Sequence, residues 1–181
     1  MMQADPQNNR TEGYHLFLEP AGTLREQLQD TIASLAEEFG GPVFMPHVTV
    51  LGPFIPESES AAIEHAARLA NACAPFMLTL GEAGMQDAYF RSVYLEVQES
   101  EALTALHEKA REILQAPIGT TYMPHLSLLY GNYPEERKRA ALAALGAGED
   151  ASFLADRIHL YRTDGAAADW VKVAELAFAA D

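Results

Sequence analysis

Apolar positions along this chain follow two periods, and the change from one period to the other predicts helices separated by short strands. Four stretches place apolar residues three or four positions apart, as the buried face of a helix requires. In the first stretch Leu24, Leu28, Ile32, Leu35 and Phe39 form that face, with Thr23 as the expected cap. The predicted helices cover residues 23–39, 57–74, 101–114 and 135–145; Gly40-Gly41-Pro42, Pro75 and Gly146-Ala147-Gly148 end the first, second and fourth.

The runs between these helices are short and rich in β-branched and aromatic residues, which is typical of strands. Val93, Leu95 and Val97 alternate with polar or aromatic neighbours, the period of a strand with one buried face. The predicted strands cover residues 14–19, 47–54, 76–80, 89–97, 125–130, 153–161 and 170–178, with a turn-rich segment at 81–88. This order predicts an α+β fold of two similar lobes, each an antiparallel sheet with helices on its outer face and a cleft between the lobes.

One eight-residue pattern occurs twice. Phe44-Met45-Pro46-His47-Val48-Thr49-Val50-Leu51 returns as Tyr122-Met123-Pro124-His125-Leu126-Ser127-Leu128-Leu129, with the second histidine 78 positions after the first. Residues two apart on a strand point to the same face, so His47 projects with Thr49 and His125 projects with Ser127. We expect each lobe to supply one copy, so that both pairs close on a single phosphate.

Two imidazoles suit general acid and base chemistry near neutral pH. In the hydrolysis of a cyclic phosphodiester, one neutral histidine takes a proton from water and the other, protonated, gives one to the leaving oxygen. The hydroxyls of Thr49 and Ser127 can bind the nonbridging oxygens. Neither a metal nor a cofactor is required, and the sequence does not assign the acid and the base.

Composition and charge limit the kinds of substrate and the cellular compartment that we expect. The 181 residues include 49% hydrophobic residues, enough for one domain with a tail over residues 1–12, and carry a net charge of −14. This charge disfavours long nucleic acid and favours a small nucleotide or sugar phosphate. The single cysteine, Cys73, indicates a reducing compartment and is expected to be a buried structural thiol. We expect a cytoplasmic monomer, without a membrane-spanning segment.

The twin motifs resemble the signatures of the two-histidine phosphoesterase superfamily, and especially its cyclic phosphodiesterase branch in plants and yeast. Phe90-Arg91-Ser92-Val93 and the ending Thr163-Asp164…Trp170 extend the resemblance over nearly the whole chain. It implies a bilobal fold, hydrolysis of 2′,3′-cyclic nucleotides or of ADP-ribose 1″,2″-cyclic phosphate, and a place in RNA metabolism. It also implies that His47, Thr49, His125 and Ser127 are catalytic, that Tyr130 contacts phosphate, that Phe90 stacks on the base, and that Phe17 lies at the cleft where plant relatives have tryptophan.

Other interpretations remain open. His15, His65, His107 and His159 lack a partner motif and are expected to be structural, although His15 could lie near the cleft. Two histidines with hydroxyl neighbours do not supply the three or four ligands of a metal site. The chain could instead bind nucleotides without turnover, or process RNA ends if residues such as Arg91 and Lys109 form a local basic patch.

Overall fold

The computed structural model describes residues 9–117, 121–145 and 151–179. Four helices and eight strands follow one another along this part of the chain, with short 3₁₀ turns at Tyr89–Arg91 and Ala167–Asp169. In chain order the elements are β1 (Tyr14–Leu18), α1 (Gly22–Phe39), β2 (Val48–Phe54), α2 (Glu59–Asn71), β3 (Phe76–Met85), β4 (Val93–Val97), α3 (Glu101–Ile113), β5 (His125–Leu129), α4 (Glu135–Leu145), β6 (Ala151–Ala155), β7 (Arg157–Arg162) and β8 (Val171–Ala177).

All eight strands form one curled antiparallel sheet in the order β6-β3-β4-β5-β2-β1-β7-β8. Each half of the order contains four strands, and the halves meet where β5 pairs with β2 through Val48 and Leu126. The predicted α+β fold with two similar halves is therefore confirmed, and the two predicted sheets are joined edge to edge as one.

The helices cover one face of the sheet, and two of them cross from one half to the other. Helix α1 packs against β5, and α3 packs against β2, so each of these two helices covers the central strand of the opposite half. Val48, Val50, Leu126 and Leu128 of the central strands are buried in the resulting core. The residues between them must face the other side of the sheet, because side chains alternate along a strand.

Local sequence signals set most helix ends. The α1 stripe is buried as predicted at Leu28, Ile32, Leu35 and Phe39, and Gly40 ends the helix with a left-handed backbone at φ 71°. Ser58 and Ser100 cap α2 and α3 by accepting hydrogen bonds from backbone N–H groups, at 3.1 and 3.2 Å. The prediction that Thr23 caps α1 is wrong, since Ala21 is the N-cap and makes no side-chain hydrogen bond.

Three strand predictions are corrected by tertiary pairing. Residues 81–85, expected in a turn-rich segment, continue β3 because Ala83, Gly84 and Met85 pair with β4. The strand predicted over 89–97 begins only at Val93, since Tyr89–Arg91 form a 3₁₀ turn. The strand predicted over 153–161 is two strands that separate at Asp156: β6 pairs with β3 in one half, and β7 pairs with β1 and β8 in the other.

Parts of two predictions lie outside the described residues. These are the Gly146-Ala147-Gly148 end of α4 and the first eight residues of the expected N-terminal tail. Thr11, near the end of that tail, exchanges two backbone hydrogen bonds of 2.9 Å with Gly165. Among the described residues, no helix is long and apolar enough to cross a membrane.

Candidate active site

The pairing of β2 with β5 brings the two sequence motifs together. Val48 lies opposite Leu126, and both side chains are fully buried on the helix-covered face. One step along antiparallel strands from this pair, His47 lies across from Ser127 and Thr49 lies across from His125. Directly opposed residues have Cβ atoms about 4.5–5.5 Å apart. The four polar residues therefore form one cluster on the uncovered face at the junction of the halves.

The two imidazoles are oriented by the same local hydrogen bond. Nδ1 of His47 lies 2.8 Å from the carbonyl oxygen of Met45, and Nδ1 of His125 lies 2.9 Å from that of Met123. A carbonyl can only accept, so Nδ1 carries a proton in each ring, and the neutral ring keeps its lone pair on Nε2. The repeated Met-Pro-His sequence thus fixes the tautomer twice and leaves Nε2 of both histidines for chemistry.

His47 is enclosed by aromatic rings. The Phe17 ring lies 4.0 Å from the imidazole between centroids, and the Tyr130 hydroxyl lies 3.4 Å from Nε2. The pKa of His47 is lowered to about 4, chiefly by burial and to a lesser extent by the nearby His125, against the opposing effects of the Met45 hydrogen bond and of Glu19. His47 is therefore neutral at neutral pH.

His125 occupies a more open position than His47. Its ring meets the Tyr94 ring edge-on, with 5.5 Å between centroids. Burial lowers the pKa of His125 below its ordinary value, and the guanidinium of Arg91 acts in the same direction. His125 and Thr49 line a cavity of about 300 Å³ together with Arg91, Arg111, His107 and Tyr122.

The hydroxyl groups near the histidines differ in their partners. Ser127 Oγ donates to the carbonyl oxygen of Phe90 at 2.8 Å. Burial raises the pKa of Tyr130, with a smaller opposing effect from a hydrogen bond to Ser127. The Tyr130 ring stacks on Phe44 with 3.7 Å between centroids, which fixes its hydroxyl beside His47. Ser127, Tyr130 and His47 thus form a connected polar group.

The three aromatic residues predicted at the cleft all lie around this group. Phe17 contacts His47, Tyr130 reaches Nε2 of His47, and Phe90 lies 5.1 Å from Tyr130 between ring centroids. The structure thus brings together every site residue that the sequence suggested.

Trp170 lies beside the site, although the sequence assigned no role to this residue. Its ring centroid lies between 6.0 and 6.4 Å from those of five rings: His15, Phe17, His47, Phe90 and Tyr130. Its Nε1 is buried and has no hydrogen-bond partner among the described residues. The available signal was that Trp170 is the only tryptophan and closes the Thr163-Asp164…Trp170 pattern.

The remaining histidines divide between the site and the core. His15 lies beside the site, and burial together with the nearby His47 lowers its pKa to about 3. His107 stacks on Tyr122 with 3.8 Å between centroids and lines the cavity, a position that its helical sequence context did not reveal. His159 lies 3.6 Å from carboxylate oxygens of both Glu19 and Glu175.

Two further predictions concern Cys73 and metal ions. Cys73 is partly buried, and burial raises the pKa of its thiol, which opposes formation of the nucleophilic thiolate. The part of the chain that the structure describes contains no group of three histidine, cysteine or acidic residues suited to a metal ion.

With this geometry established, comparison with known proteins identifies the family. The family model described as the 2′-5′ RNA ligase superfamily matches residues 24–167. The chain belongs to the 2′-5′ RNA ligase superfamily. This superfamily comprises two-histidine phosphoesterases, in agreement with the resemblance based on the twin motifs.

Several known proteins are similar to this chain over most of its length. A protein of Arabidopsis thaliana named cyclic phosphodiesterase is 28% identical over 156 residues, which are 83% of this chain and 85% of the relative. The apo crystal structure of LigT from Escherichia coli superimposes with a TM-score of 0.65 at 18% identity, covering 92% of this chain and 97% of LigT. A Thermus thermophilus structure gives 0.67 at 17% identity, covering 93% and 98%. LigT has also been crystallised with 3′-AMP and with ATP.

Proposed function

We propose that this chain hydrolyses a small cyclic phosphodiester to a phosphomonoester without a metal ion, as a cyclic phosphodiesterase. The substrate class is a 2′,3′-cyclic nucleotide or ADP-ribose 1″,2″-cyclic phosphate. The observation that carries the proposal is the β2–β5 register, which sets both His-x-Thr/Ser pairs side by side, while Nδ1 of each ring is bound to a backbone carbonyl and Nε2 carries the lone pair. The named Arabidopsis relative supports the same reaction class.

The reaction needs one proton acceptor and one proton donor. Nε2 of one neutral histidine takes a proton from water as the water oxygen attacks phosphorus. The bond from phosphorus to one ribose oxygen breaks, and Nε2–H of the other, protonated histidine gives its proton to that oxygen. The ring opens to a phosphomonoester with a free hydroxyl. The first histidine then releases its proton to solvent and the second takes one up, which resets the pair.

The surrounding hydroxyls and the substrate charge complete this scheme. The hydroxyls of Thr49 and Tyr130 can donate to the nonbridging oxygens, where charge develops in the transition state. Ser127 can do the same once its hydroxyl turns away from the carbonyl oxygen of Phe90. Both histidines have a pKa below the ordinary value. The negative charge of a bound phosphodiester raises the pKa of its neighbours, so substrate binding itself favours protonation of the acid histidine.

Hydrolysis of a 2′,3′-cyclic nucleotide in excess chelator tests the proposal. His47→Ala and His125→Ala are each expected to lower kcat by about 10²–10⁴, the usual contribution of one acid or base. The matched control is His65→Ala, since His65 lies on α2 outside the site. Full activity in either site variant would contradict the proposal. Binding of the cyclic nucleotide in calorimetry with no product after long incubation would instead favour a nucleotide-binding module.

RNA-end processing is the second candidate, and the family description favours it. The mechanism is the same, but the substrate is longer. Rates on small cyclic phosphates and on an oligonucleotide with a 2′,3′-cyclic end separate the two. The small-substrate proposal requires that a cyclic mononucleotide or ADP-ribose 1″,2″-cyclic phosphate be turned over at least as efficiently as the oligonucleotide. Arg91 lines the cavity beside His125, whereas Lys109 is not part of that lining and pairs with Glu112 at 3.1 Å.

A further inference from the structure

The cavity beside His125 has an unusual charge for so acidic a chain. Its lining contains two arginines and two histidines, Arg91, Arg111, His107 and His125, and no carboxylate. Four other cavities formed by the described residues each contain at least one aspartate or glutamate. With 26 acidic residues against 12 basic ones, a carboxylate-free cationic hollow is not what the composition favours.

Arg91 and Arg111 form no ion pair with a carboxylate among the described residues, a property that Arg68 and Arg137 share but that most of the other cations do not. Ion pairs with carboxylates form at Arg25, Lys109, Lys138, Arg139, Arg157, Arg162 and Lys172. Arg91 instead donates from Nε to the amide oxygen of Gln86, a neutral group, and Arg111 forms no ion pair within the described residues. Both guanidinium charges are therefore available to an anion from outside the protein.

The position of the cavity connects these charges to the proposed reaction. Thr49 and His125 form one side of the candidate active site and also line the cavity, while His47 lies on the other side, under Phe17 and Tyr130. A substrate whose cyclic phosphate lies between the histidines can extend into this hollow. Its volume of about 300 Å³ accommodates a phosphate or diphosphate group with part of a sugar.

We propose that Arg91 and Arg111 form a second anion-binding subsite, which holds a phosphate or diphosphate group elsewhere on the cyclic-phosphate substrate. This inference rests on the proposed function and narrows its substrate class. Arginine binds phosphate oxygens through paired N–H groups, so it selects phosphate groups more strongly than a point charge does. The subsite would bind a second phosphate group of the substrate. In a small nucleotide this group is a 5′-phosphate or a diphosphate, and in an RNA end it is the internal phosphodiester.

The test compares four substrates that all react at a cyclic phosphate. They are adenosine 2′,3′-cyclic phosphate, its 5′-phosphorylated form, ADP-ribose 1″,2″-cyclic phosphate, and a dinucleotide with a 2′,3′-cyclic end. We expect kcat/KM to be at least tenfold higher for a substrate with a second phosphate than for the first. In Arg111→Gln this ratio is expected to fall by about tenfold, as for loss of one charged hydrogen-bonding group. Preference for the dinucleotide alone would assign the subsite to RNA ends.

Control variants show whether an effect of Arg111→Gln comes from loss of the subsite or from a general loss of positive charge. The substrate ratio also distinguishes loss of the subsite from loss of the reaction. Lys109→Gln removes one positive charge from the same helix without touching the cavity lining, and the substrate ratio should stay unchanged. Arg111→Lys keeps the charge but loses the paired N–H geometry, and an intermediate ratio is expected. Equal kcat/KM for all substrates, unaltered in Arg111→Gln, would overturn the subsite while leaving the proposed function intact.

Absence of turnover with every substrate would overturn the proposed function instead. The subsite is then measured by calorimetry with inorganic pyrophosphate on the wild-type protein, Arg111→Gln and Lys109→Gln. Binding that weakens at least tenfold in Arg111→Gln only would support the subsite. Equal binding in all three proteins, or none in any, would overturn it. Thermal unfolding of each variant confirms that the comparison is made on folded protein.

Discussion

At the residue scale, the Met-Pro-His sequence supplies each histidine and also sets the tautomer of its ring. In both copies the methionine carbonyl oxygen two residues earlier binds Nδ1 and so decides which nitrogen faces the substrate. The repeat was visible in the sequence, and so was the shared face of each histidine with its hydroxyl partner. The tautomer was not, because it depends on the backbone conformation that brings each methionine carbonyl within hydrogen-bond distance of the ring.

The hydroxyl of Tyr130 is expected to assist the chemistry at His47. It lies 3.4 Å from Nε2, within reach of an oxygen bound there. Tyr130→Phe removes one neutral hydrogen bond and keeps the ring that stacks on Phe44. A loss of about 0.5–1.5 kcal/mol of transition-state binding corresponds to roughly a 2- to 13-fold fall in kcat.

Steady-state kinetics on a cyclic nucleotide provides the measurement for Tyr130→Phe. The matched control is Tyr133→Phe, whose hydroxyl donates to the backbone oxygen of Tyr130 at 3.2 Å and not to His47. A Tyr130→Phe protein with the same kcat as Tyr133→Phe would show that the hydroxyl has no part in the reaction.

Acid sensitivity is the second expectation at the residue scale. Burial lowers the pKa of His47 to about 4, whereas the unfolded chain has the ordinary value near 6.5. Above pH 6.5 neither state is protonated at His47, so the free energy of unfolding is unaffected. As pH falls from 6.5 toward 4, only the unfolded state gains the proton, and stability falls by about 1.4 kcal/mol per pH unit from this group.

Urea unfolding at pH 7.0, 6.0 and 5.0 measures this effect. The fall in unfolding free energy with decreasing pH should be less steep in His47→Gln than in the wild type, by about the contribution of one proton. Parallel curves for the two proteins would mean that His47 is as easily protonated in the folded state as in the unfolded one.

At the element scale, the bounds of several strands depend on which strands pair with them and not on the local sequence pattern. Residues 153–161 have the composition of one strand, yet Asp156 divides them between partners in opposite halves of the sheet. Residues 81–85 contain two glycines and still continue β3, because β4 supplies the partner. Helices were easier to predict, since their apolar stripe and caps lie within one segment of sequence.

The connection between β7 and β8 places Trp170 over His47, and we expect this element to contribute to substrate binding. Asp164 accepts a hydrogen bond from the backbone N–H of Gly13 at 2.8 Å, which ties the connection to the start of β1. An aromatic ring that stacks on a base contributes about 1–3 kcal/mol, so Trp170→Ala should raise KM about 5- to 150-fold. Trp170→Phe keeps a ring and should raise it less.

Fluorescence gives an independent measurement, because Trp170 is the only tryptophan in the chain. Addition of 3′-AMP, as a product-like nucleotide, should change the emission of the wild-type protein in a saturable manner. Trp170→Phe provides the blank for this titration. An emission spectrum unaffected by saturating nucleotide, together with an unchanged KM in Trp170→Ala, would place the ring outside the binding site.

At the scale of the whole molecule, the candidate site exists only because two similar halves are joined along one pair of strands. The helices reinforce this junction by crossing it, α1 onto β5 and α3 onto β2. The repeat and its spacing predicted two halves that face each other across a cleft. They did not predict the edge-to-edge pairing of β2 with β5, because both strands have the composition of central strands and no local feature indicates which strand pairs with which.

The junction should therefore be more important for activity than its share of the core suggests. Leu126 is fully buried between His125 and Ser127 and lies opposite Val48. Leu126→Ala leaves a cavity beneath both polar residues, which should cost about 2–5 kcal/mol of unfolding free energy. Leu106 of α3 is also buried, and Leu106→Ala should cost a similar amount while leaving β5 intact.

Both variants are compared well below their unfolding temperatures, so that differences in kcat report the folded site. We expect Leu126→Ala to lower kcat at least tenfold more than Leu106→Ala, because a shift of β5 against β2 moves His125 relative to His47, and small displacements of reacting groups cost large factors in rate. Equal kcat in the two variants, at equal loss of stability, would mean that the histidines keep their relative position without the Val48–Leu126 contact. The site would then be held by each half separately, and the strand junction would serve the fold alone.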